Sequence, residues 1–222
     1  MTIPDSLDSE ELHAQRQTVV ETGIEMLDQG LTKGTGGNVS GRVGDDYVAV
    51  SPSGIPYEEI EPADVPLVDL DASVVDGDLE PSAETPMHTA VYRKRDDVGG
   101  IIHTHSPYAS TFASLSEPIE ASHYLIAYAG DKVPVAPYET YGTEDLGAVA
   151  AETLGEKYNA CLLENHGVLT VGETIEGAFE TALMAEYCAR IHYQARAIGE
   201  PTVLPDEEVD RLVDRFASYR TH

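Results

Sequence analysis

Two histidines separated by one residue end an aliphatic run, and they constrain the fold more than any other feature of the chain. Residues 98–105 have the sequence Val-Gly-Gly-Ile-Ile-His-Thr-His, which predicts a buried strand. Alternate residues of a strand point to the same face, so the imidazoles of His103 and His105 would project side by side. Two unpaired imidazoles are costly in a buried environment, and a shared metal ion would satisfy both. The pair alone leaves open that both are merely polar residues near a strand end.

A third histidine could complete a metal site. His166 lies between two strand-like apolar runs, and Gly167 permits a tight backbone bend after it. Three histidines with an open fourth position are typical of a catalytic rather than a structural zinc site. The sequence therefore predicts one metal ion on His103, His105 and His166, although His166 taken alone has a structural interpretation. The remaining histidines are interpreted as surface or packing residues: His13, His88, His123, His192 and His222.

Three short loops contain the donors that an anion needs. The turn Gly34-Thr35-Gly36-Gly37-Asn38 offers backbone N–H groups and two polar side chains. It lacks the lysine of a Walker loop and does not match the dinucleotide fingerprint, so nucleotide binding is rejected. Residues 51–55 and 81–84 add hydroxyl and amide donors. Each loop alone is explained as a simple turn, but the three together favour binding of an anion such as phosphate.

Acidic residues outnumber basic residues by 40 to 13, which gives a formal net charge of -27. The acids are spread over predicted helix faces and turns and do not form one run. Because no basic patch could replace counterions, the composition excludes nucleic acid as a partner. An acidic surface with only four lysines suits a protein that works where concentrated salt screens its repulsion, so we expect a halophilic cytoplasm.

The location and redox state follow from what the sequence lacks. No stretch of about 18 uninterrupted apolar residues is present, so we expect no membrane association. The first six residues lack the basic flank and apolar core of a signal peptide, and we expect a cytoplasmic protein. Cys161 lies in an apolar strand-like run and Cys188 in a helical pattern, so both are predicted to be buried free thiols.

Helical and strand-like patterns interleave irregularly along the chain. Helix starts are predicted at Asp8, at Thr85-Pro86 and at Thr143, and the longest helix is predicted over residues 173–198. This order favours a mixed α/β sandwich over a regular repeat of strand–helix–strand units. The length fits one domain and no linker is evident, so a single domain is predicted over residues 1–222.

Taken together, these motifs resemble the class II aldolase/adducin family over roughly residues 12–219. The matching segments are Gly34-Thr35-Gly36-Gly37-Asn38-Val39-Ser40, Ser53-Gly54-Ile55-Pro56-Tyr57, Pro81-Ser82-Ala83-Glu84 with His88, His103-Thr104-His105, Tyr124, Tyr138-Glu139-Thr140-Tyr141-Gly142-Thr143, His166-Gly167 and Tyr219. Within the family, the chain is most similar to the branch that cleaves L-fuculose 1-phosphate. The resemblance implies a single-domain α/β fold with a central, mainly antiparallel sheet covered by helices on both faces.

The resemblance also implies a ligand set. One Zn²⁺ per subunit would be held by His103, His105 and His166, with Glu84 as a further ligand when substrate is absent. The implied phosphate site consists of Thr35, Asn38, Ser53, Gly54 and Ser82. Ala83 departs from the family pattern, which commonly has a second serine there, and the loss of one neutral hydrogen bond costs about 1 kcal/mol. A homotetramer with active sites at subunit interfaces is implied as well.

The implied activity is reversible cleavage of a ketose 1-phosphate, L-fuculose 1-phosphate or a similar compound, to dihydroxyacetone phosphate and a short aldehyde such as L-lactaldehyde. By resemblance, Glu84 would transfer the proton as general acid and base, Tyr124 would act at the aldehyde-side oxygen, and Tyr219 would line the aldehyde pocket. None of the four lysines lies in an apolar context suited to a Schiff base, which favours a metal as the electron sink.

Three alternatives stay open at this point. On the same fold, the protein could be an epimerase similar to L-ribulose-5-phosphate 4-epimerase, or a dehydratase of a sugar phosphate. A non-catalytic, adducin-like interaction module would share the fold but would have no need of the metal ligands. All three histidines and Glu84 are present, which disfavours that last alternative.

Overall fold

Six helices and eight strands form the part of the chain that the computed structural model describes, which is residues 7–220, with side chains to residue 216. The helices are α1 (Ser9–Asp28), α2 (Thr85–Tyr92), α3 (Pro107–Leu115), α4 (Glu144–Leu154), α5 (Ile175–Ile198) and α6 (Asp206–Arg220). The strands are β1 (Asn38–Val43), β2 (Tyr47–Val50), β3 (Leu67–Asp69), β4 (Val74–Asp76), β5 (Gly100–Thr104), β6 (Val135–Ala136), β7 (Ala160–Leu163) and β8 (Gly167–Gly172). Single 3₁₀ turns lie at Tyr57–Glu59, Pro62–Asp64 and Tyr124–Tyr128.

All eight strands belong to one sheet, in the order β4-β3-β2-β1-β5-β8-β7-β6. Every neighbouring pair is antiparallel except β6 and β7, which are parallel. The predicted mainly antiparallel central sheet is therefore confirmed. The strand with the two histidines, β5, lies in the middle of it, between β1 and β8.

Helices cover both faces of the sheet, as predicted. Successive residues of β5 point to opposite faces, so Ile102 packs with α1 and α5 while Ile101 packs with α2 and α4. The core on the α1 and α5 side continues under α3 and α6 around β7 and β8. Because β5 is covered on both faces, all five of its residues are buried, and polar side chains there need partners inside the protein.

The predicted helix starts at Asp8 and Thr143 are confirmed by their capping contacts, and α2 begins at the predicted Thr85. The side chain of Asp8 accepts a hydrogen bond from the backbone N–H of Glu10 at 2.8 Å, and that of Thr143 accepts from Leu146 at 3.3 Å. The long helix α5 begins at Ile175, two residues later than predicted, because Thr174 occupies the capping position. Likewise β5 is shorter than the predicted 98–105 and ends at Thr104, so His105 lies just beyond the strand.

Both cysteines are buried free thiols, as predicted. Burial raises the pKa of Cys161 and of Cys188 to about 12, so neither is a nucleophile near neutral pH. Among the residues that the structure describes, no helix combines the length and apolar character that crossing a bilayer requires.

Candidate metal centre and adjoining cavity

The buried histidine of β5 is oriented by the neighbouring strand. His103 is fully buried, and its Nδ1 lies 3.0 Å from the backbone oxygen of Val168 in β8. A carbonyl oxygen can only accept, so Nδ1 carries the proton and Nε2 keeps its lone pair. A metal-binding histidine typically donates its outer N–H in this way, which fixes the ring and its tautomer.

Three imidazoles converge as the sequence predicted. The ring centroids of His103, His105 and His166 are 4.7 to 5.3 Å apart, and their candidate ligand atoms all lie within 4.8 Å of one another. The two Nε2 atoms of His103 and His105 are only 3.0 Å apart. Two lone pairs at that distance repel unless a cation or a proton lies between them, so these three side chains could hold a metal ion.

His166 reaches the cluster through a tight turn between β7 and β8. Its backbone N–H bonds to the oxygen of Leu163 at 3.0 Å, and Asn165 before it has a positive φ of 56°. Asparagine tolerates this left-handed conformation better than most residues. The backbone N–H of Asn165 also bonds to Ala113 at the end of α3, 3.1 Å away, which fixes the turn against the rest of the fold.

The helix that follows His105 is held in place by α5. The carboxylate of Glu186 in α5 accepts hydrogen bonds from the backbone N–H groups of Tyr108 and Ala109, at 2.9 and 2.8 Å, in the first turn of α3. Burial raises the pKa of Glu186, while these N–H groups act in the opposite direction. The long helix α5 therefore anchors the start of α3, which follows His105 closely in the sequence.

Glu84 faces the three imidazoles. Its Oε2 lies 3.3 Å from Nε2 of His103 and its Oε1 lies 3.4 Å from Nε2 of His166. Oε2 also accepts a hydrogen bond from the side-chain amide of Asn38 at 2.9 Å. Oε1 is buried and has no hydrogen-bond partner in the described part of the chain. An orphaned carboxylate oxygen beside three converging nitrogens fits a cation at this point.

The protonation states also suit a metal ligand set. Burial lowers the pKa of His103 to about 3, against the opposing effect of Glu84, so the ring is neutral at pH 7. Burial alone would raise the pKa of Glu84, but the rings of His103 and His166 and the amide of Asn38 outweigh it and lower that pKa. A neutral imidazole and an ionised carboxylate are the forms that bind a metal.

Two glycines let the backbone approach the cluster. A Cβ on Gly167 would lie 2.4 Å from the oxygen of Thr104 and 3.1 Å from ring atoms of both His103 and His105. Gly37 has a φ of 74°, and a Cβ there would lie 2.7 Å from the oxygen of His103. Neither position has room for a side chain. The left-handed residue of the turn is Asn165, while Gly167 begins β8 and allows the close approach of the backbone.

A cavity of about 390 Å³ opens directly above the cluster. All five residues of the expected phosphate site line it: Thr35, Asn38, Ser53, Gly54 and Ser82. Glu84, His105 and His166 line it too, so the structure brings the two expected sites into one space. The described lining residues include no lysine and no arginine.

The loops that meet there are tied to one another. The N–H of Ser82 bonds to the oxygen of Ser51 at 3.0 Å, and Pro52 and Pro81 form an isolated bridge between the two loops. The hydroxyl of Tyr57 lies 3.3 Å from Oγ of Ser51 and 3.4 Å from the oxygen of Gly37. This tyrosine therefore links the glycine-rich turn to the second loop.

One expected site residue, Tyr124, is not among the described residues that line the cavity. Tyr124 lies in the third 3₁₀ turn, is 49% exposed, and packs against His123 and Phe216 at centroid distances of 4.9 and 6.1 Å. Tyr219 falls in the last turns of α6, beyond the residues whose side chains are described, and His222 lies outside the described residues altogether. The expected role of Tyr124 therefore depends on something other than this cavity wall.

Some cavity and support residues were missed by reasoning from local patterns. Tyr138, Glu139 and Tyr141 also line the cavity, and only the family motif pointed to their segment. His88, interpreted as a surface or packing residue, is fully buried and hydrogen-bonded to Asn38 and Ser40. Its spacing of four residues from Glu84 on one helix was the available signal.

Comparisons with known proteins give a consistent result. A sequence profile of the class II aldolase and adducin N-terminal domain matches residues 17–193. Over 209 residues the chain is 46% identical to the 5-deoxy-D-ribulose 1-phosphate aldolase of Bacillus thuringiensis serovar kurstaki, covering 94% of this chain and 98% of that one. It is 35% identical over 203 residues to the L-fuculose phosphate aldolase of Escherichia coli strain K12, covering 90% and 93%. A solved L-fuculose 1-phosphate aldolase superposes with a TM-score of 0.91 at 41% identity, covering 96% and 99%.

The close approach at Gly167 generates a test of the metal centre. In Gly167→Ala the new methyl group must displace a backbone oxygen and two imidazoles, so we expect a stability loss of about 1–3 kcal/mol and weaker metal binding. Urea unfolding and metal titration of the purified protein measure the two effects. Gly177→Ala in α5 is the matched control, because a Cβ there meets its nearest neighbours at 3.8 Å and beyond. Equal metal affinity in both variants would contradict the packing argument.

Proposed function

This chain belongs to the class II aldolase and adducin family, and on that premise we propose that it is a zinc-dependent aldolase. Its reaction would be the reversible cleavage of a ketose 1-phosphate to dihydroxyacetone phosphate and a short aldehyde. One observation carries the proposal: the histidine cluster, the carboxylate of Glu84 and five donor residues on the loops share one cavity. The candidate substrates are L-fuculose 1-phosphate and 5-deoxyribulose 1-phosphate, the latter because of the 46% identical relative.

The proposed zinc ligands are His103, His105 and His166, with Glu84 available as a further one. A set of three nitrogens with one oxygen favours zinc over the harder divalent cations. When bound, the ion supplies a Lewis acid that stabilises the negative charge developing on the substrate oxygens during cleavage. No lysine lines the cavity among the described residues, which supports this route over a Schiff base.

Glu84 is the proposed proton-transfer residue. Aldol cleavage leaves a carbanion equivalent next to the carbonyl, which must be protonated to give dihydroxyacetone phosphate; condensation removes the same proton. Glu84 is 7% exposed and directed into the cavity beside the histidines. Its carboxylate is ionised in the absence of substrate, so it can act first as the base in condensation and as the acid, once protonated, in cleavage.

The phosphate would be bound by neutral donors. Thr35, Asn38, Ser53 and Ser82 offer hydroxyl and amide hydrogens around the cavity. These hydroxyl and amide groups could donate to phosphate oxygens without a paired side-chain cation.

We extend the proposal to a homotetramer whose active sites lie at subunit interfaces. Tyr124, Tyr187 and Tyr193 are between 45% and 49% exposed, and large aromatic residues are enriched at protein interfaces. In this arrangement, Tyr124 and Tyr219 would serve the cavity of a neighbouring subunit at its aldehyde end. Sedimentation equilibrium decides this point, and a stable monomer would contradict it. The cytoplasmic location stays a prediction, as does the extension of the domain to residues 1–222.

An epimerase or a dehydratase is the second candidate, since either could use the same metal and carboxylate. The reactions differ in their net products, so the product identifies the activity. Free dihydroxyacetone phosphate is a net product of the aldolase reaction and of neither alternative.

The decisive assay offers L-fuculose 1-phosphate and 5-deoxyribulose 1-phosphate to the purified protein in molar potassium chloride. We expect dihydroxyacetone phosphate to appear, detected by a coupled dehydrogenase active in that salt. A chelator should abolish the release, and added zinc should restore it. An intact, zinc-loaded protein that yields a new sugar phosphate but no dihydroxyacetone phosphate would instead indicate the epimerase or the dehydratase.

The assignment of Glu84 is tested against the second carboxylate of the cavity. We expect Glu84→Gln to lower kcat by about 10²–10⁴, the usual contribution of a positioned acid or base, while zinc is still bound. Glu139→Gln is the matched comparison, because Glu139 lines the cavity without a contact to the histidine cluster. A larger loss in Glu139→Gln than in Glu84→Gln would contradict the assignment.

The acidic surface predicts a salt requirement. Acidic residues at helix starts and in turns are exposed in the structure, including Glu10, Asp96, Asp97, Glu144 and Asp145. Raising ionic strength from 0.1 to 1 M shortens the screening length from about 10 to about 3 Å, which weakens repulsion within the protein and toward the phosphate dianion. Both kcat/KM and the unfolding temperature should rise over this range. A fall in either quantity on adding salt would contradict the halophilic proposal.

A further inference from the structure

A chain of buried hydrogen bonds leads from the core beneath α2 to the carboxylate of Glu84. His88 is fully buried one helical turn after Glu84, with its Nε2 2.5 Å from Oδ1 of Asn38 and its Nδ1 2.6 Å from Oγ of Ser40. The amide nitrogen of Asn38 in turn donates to Oε2 of Glu84 at 2.9 Å. The hydroxyl of Tyr92 closes the chain at the far end, 3.0 Å from Oγ of Ser40 and 3.1 Å from its backbone oxygen.

With His88 neutral, the donors follow in order from Glu84 outward. An ionised Glu84 can only accept, so Asn38 must turn its amide nitrogen toward Glu84 and its oxygen toward His88. That oxygen also only accepts, so Nε2 of His88 carries the proton. Nδ1 of the neutral ring is then an acceptor for the hydroxyl of Ser40, and Tyr92 donates its single hydroxyl hydrogen to one of the two oxygens of Ser40.

We propose that His88 is a positioning residue that locks the side-chain amide of Asn38, and thereby the carboxylate of Glu84, in the orientation used for metal binding and proton transfer. An asparagine amide has two nearly isosteric orientations, and the flipped one would set its oxygen against the carboxylate. His88 stabilises the productive orientation because its Nε2–H can pair only with the amide oxygen. The kinetic consequence of this inference rests on the proposed aldolase function.

Asn38 is the residue through which His88 would influence both Glu84 and the cavity. Asn38 is the first residue of β1 and pairs with His103 of β5 in the sheet register. It contacts Glu84 and also lines the cavity beside the phosphate loops. A disordered amide at this position would therefore release Oε2 of Glu84 and remove a donor from the cavity at once.

A first test is independent of activity. In protein labelled with ¹⁵N-histidine, the imidazole signal of His88 should show the tautomer protonated at Nε2 at pH 7. The signal is assigned by its loss in His88→Gln. A ring protonated at Nδ1, or at both nitrogens, would overturn the assignment of donors on which the proposal rests.

A second test separates positioning from packing. His88→Leu should lower kcat and zinc affinity by about 10–100-fold, as loss of an outer-shell partner does. His88→Gln, which can still donate to Asn38, should recover most of both. If His88 acts through Asn38, His88→Leu should cause no further loss of kcat in an Asn38→Ala background. If the losses of kcat caused by His88→Leu and Asn38→Ala multiply in the double variant, the proposal is wrong.

The matched control is a second buried histidine. His192 is 5% exposed and bonds to Oγ of Ser122 at 2.9 Å, away from the cavity. His192→Leu should lower the unfolding temperature without lowering kcat, and an equal fall in kcat would mean that the assay reports general loss of packing. If His88→Leu does not fold, Ser40→Ala is the substitute, because it removes the donor to Nδ1 without creating a large cavity. We expect Ser40→Ala to lower kcat by less than His88→Leu does. In the Asn38→Ala background, Ser40→Ala should lower kcat no further.

The two proposals fail in different ways. If the wild-type protein cleaves no ketose phosphate, the aldolase proposal falls while the tautomer and the zinc affinity still decide the role of His88. If cleavage occurs but His88→Leu matches the wild type in kcat and zinc affinity, the aldolase proposal stands and the positioning role is wrong.

Discussion

The site depends on the antiparallel pairing of β1, β5 and β8, because this pairing brings the ends of three strands to one edge of the sheet. Antiparallel neighbours place the start of one strand beside the end of the next. Asn38 at the start of β1 thus lies beside His103 near the end of β5, and Gly167 at the start of β8 follows His166. Residues from distant parts of the sequence thus become neighbours. The sheet positions His103 directly, while His105 lies just beyond the end of β5 and His166 lies in the turn before β8, so each histidine is in a strand or next to one.

Burial then determines which side chains of the site are charged. The imidazoles of His103 and His88 stay neutral because an ionised ring in the core would lose its hydration, and burial lowers their pKa to about 3 and about 4. Burial alone would raise the pKa of Glu84, but the adjacent rings and the amide of Asn38 outweigh it and lower that pKa. A dication placed here would meet the carboxylate of Glu84 and the ring nitrogens of three histidines. Its charge would offset those of Glu84 and of Glu139, the second carboxylate of the cavity, within a chain whose formal charge is -27.

Local patterns in the sequence predict several helices and strands, but they do not predict the side chains that hold the site residues in place. The strand period placed His103 and His105 on one face, and capping residues such as Asp8 and Thr143 marked helix starts, because both signals are contained in a few neighbouring residues. Local patterns indicate only a surface or packing role for His88, since its partner Asn38 is 50 residues away and no local period connects them. The cavity wall formed by Tyr138 and Tyr141 was likewise beyond local reasoning, because it depends on how the loop before α4 folds back over the sheet.

The buried polar chain explains why the core beside α2 is not entirely apolar. Replacing Ser40, His88 and Tyr92 by well-packed hydrophobic residues would remove several buried polar groups, and such replacements are often neutral or stabilising. A fold selected for stability alone would have no need of this chain. Its hydrogen bonds end at the carboxylate beside the histidine cluster, and a satisfied polar network specifies one arrangement where an apolar core would allow several. The polar groups under α2 are therefore best understood as part of the site, extending it from the cavity surface into the core of the sheet.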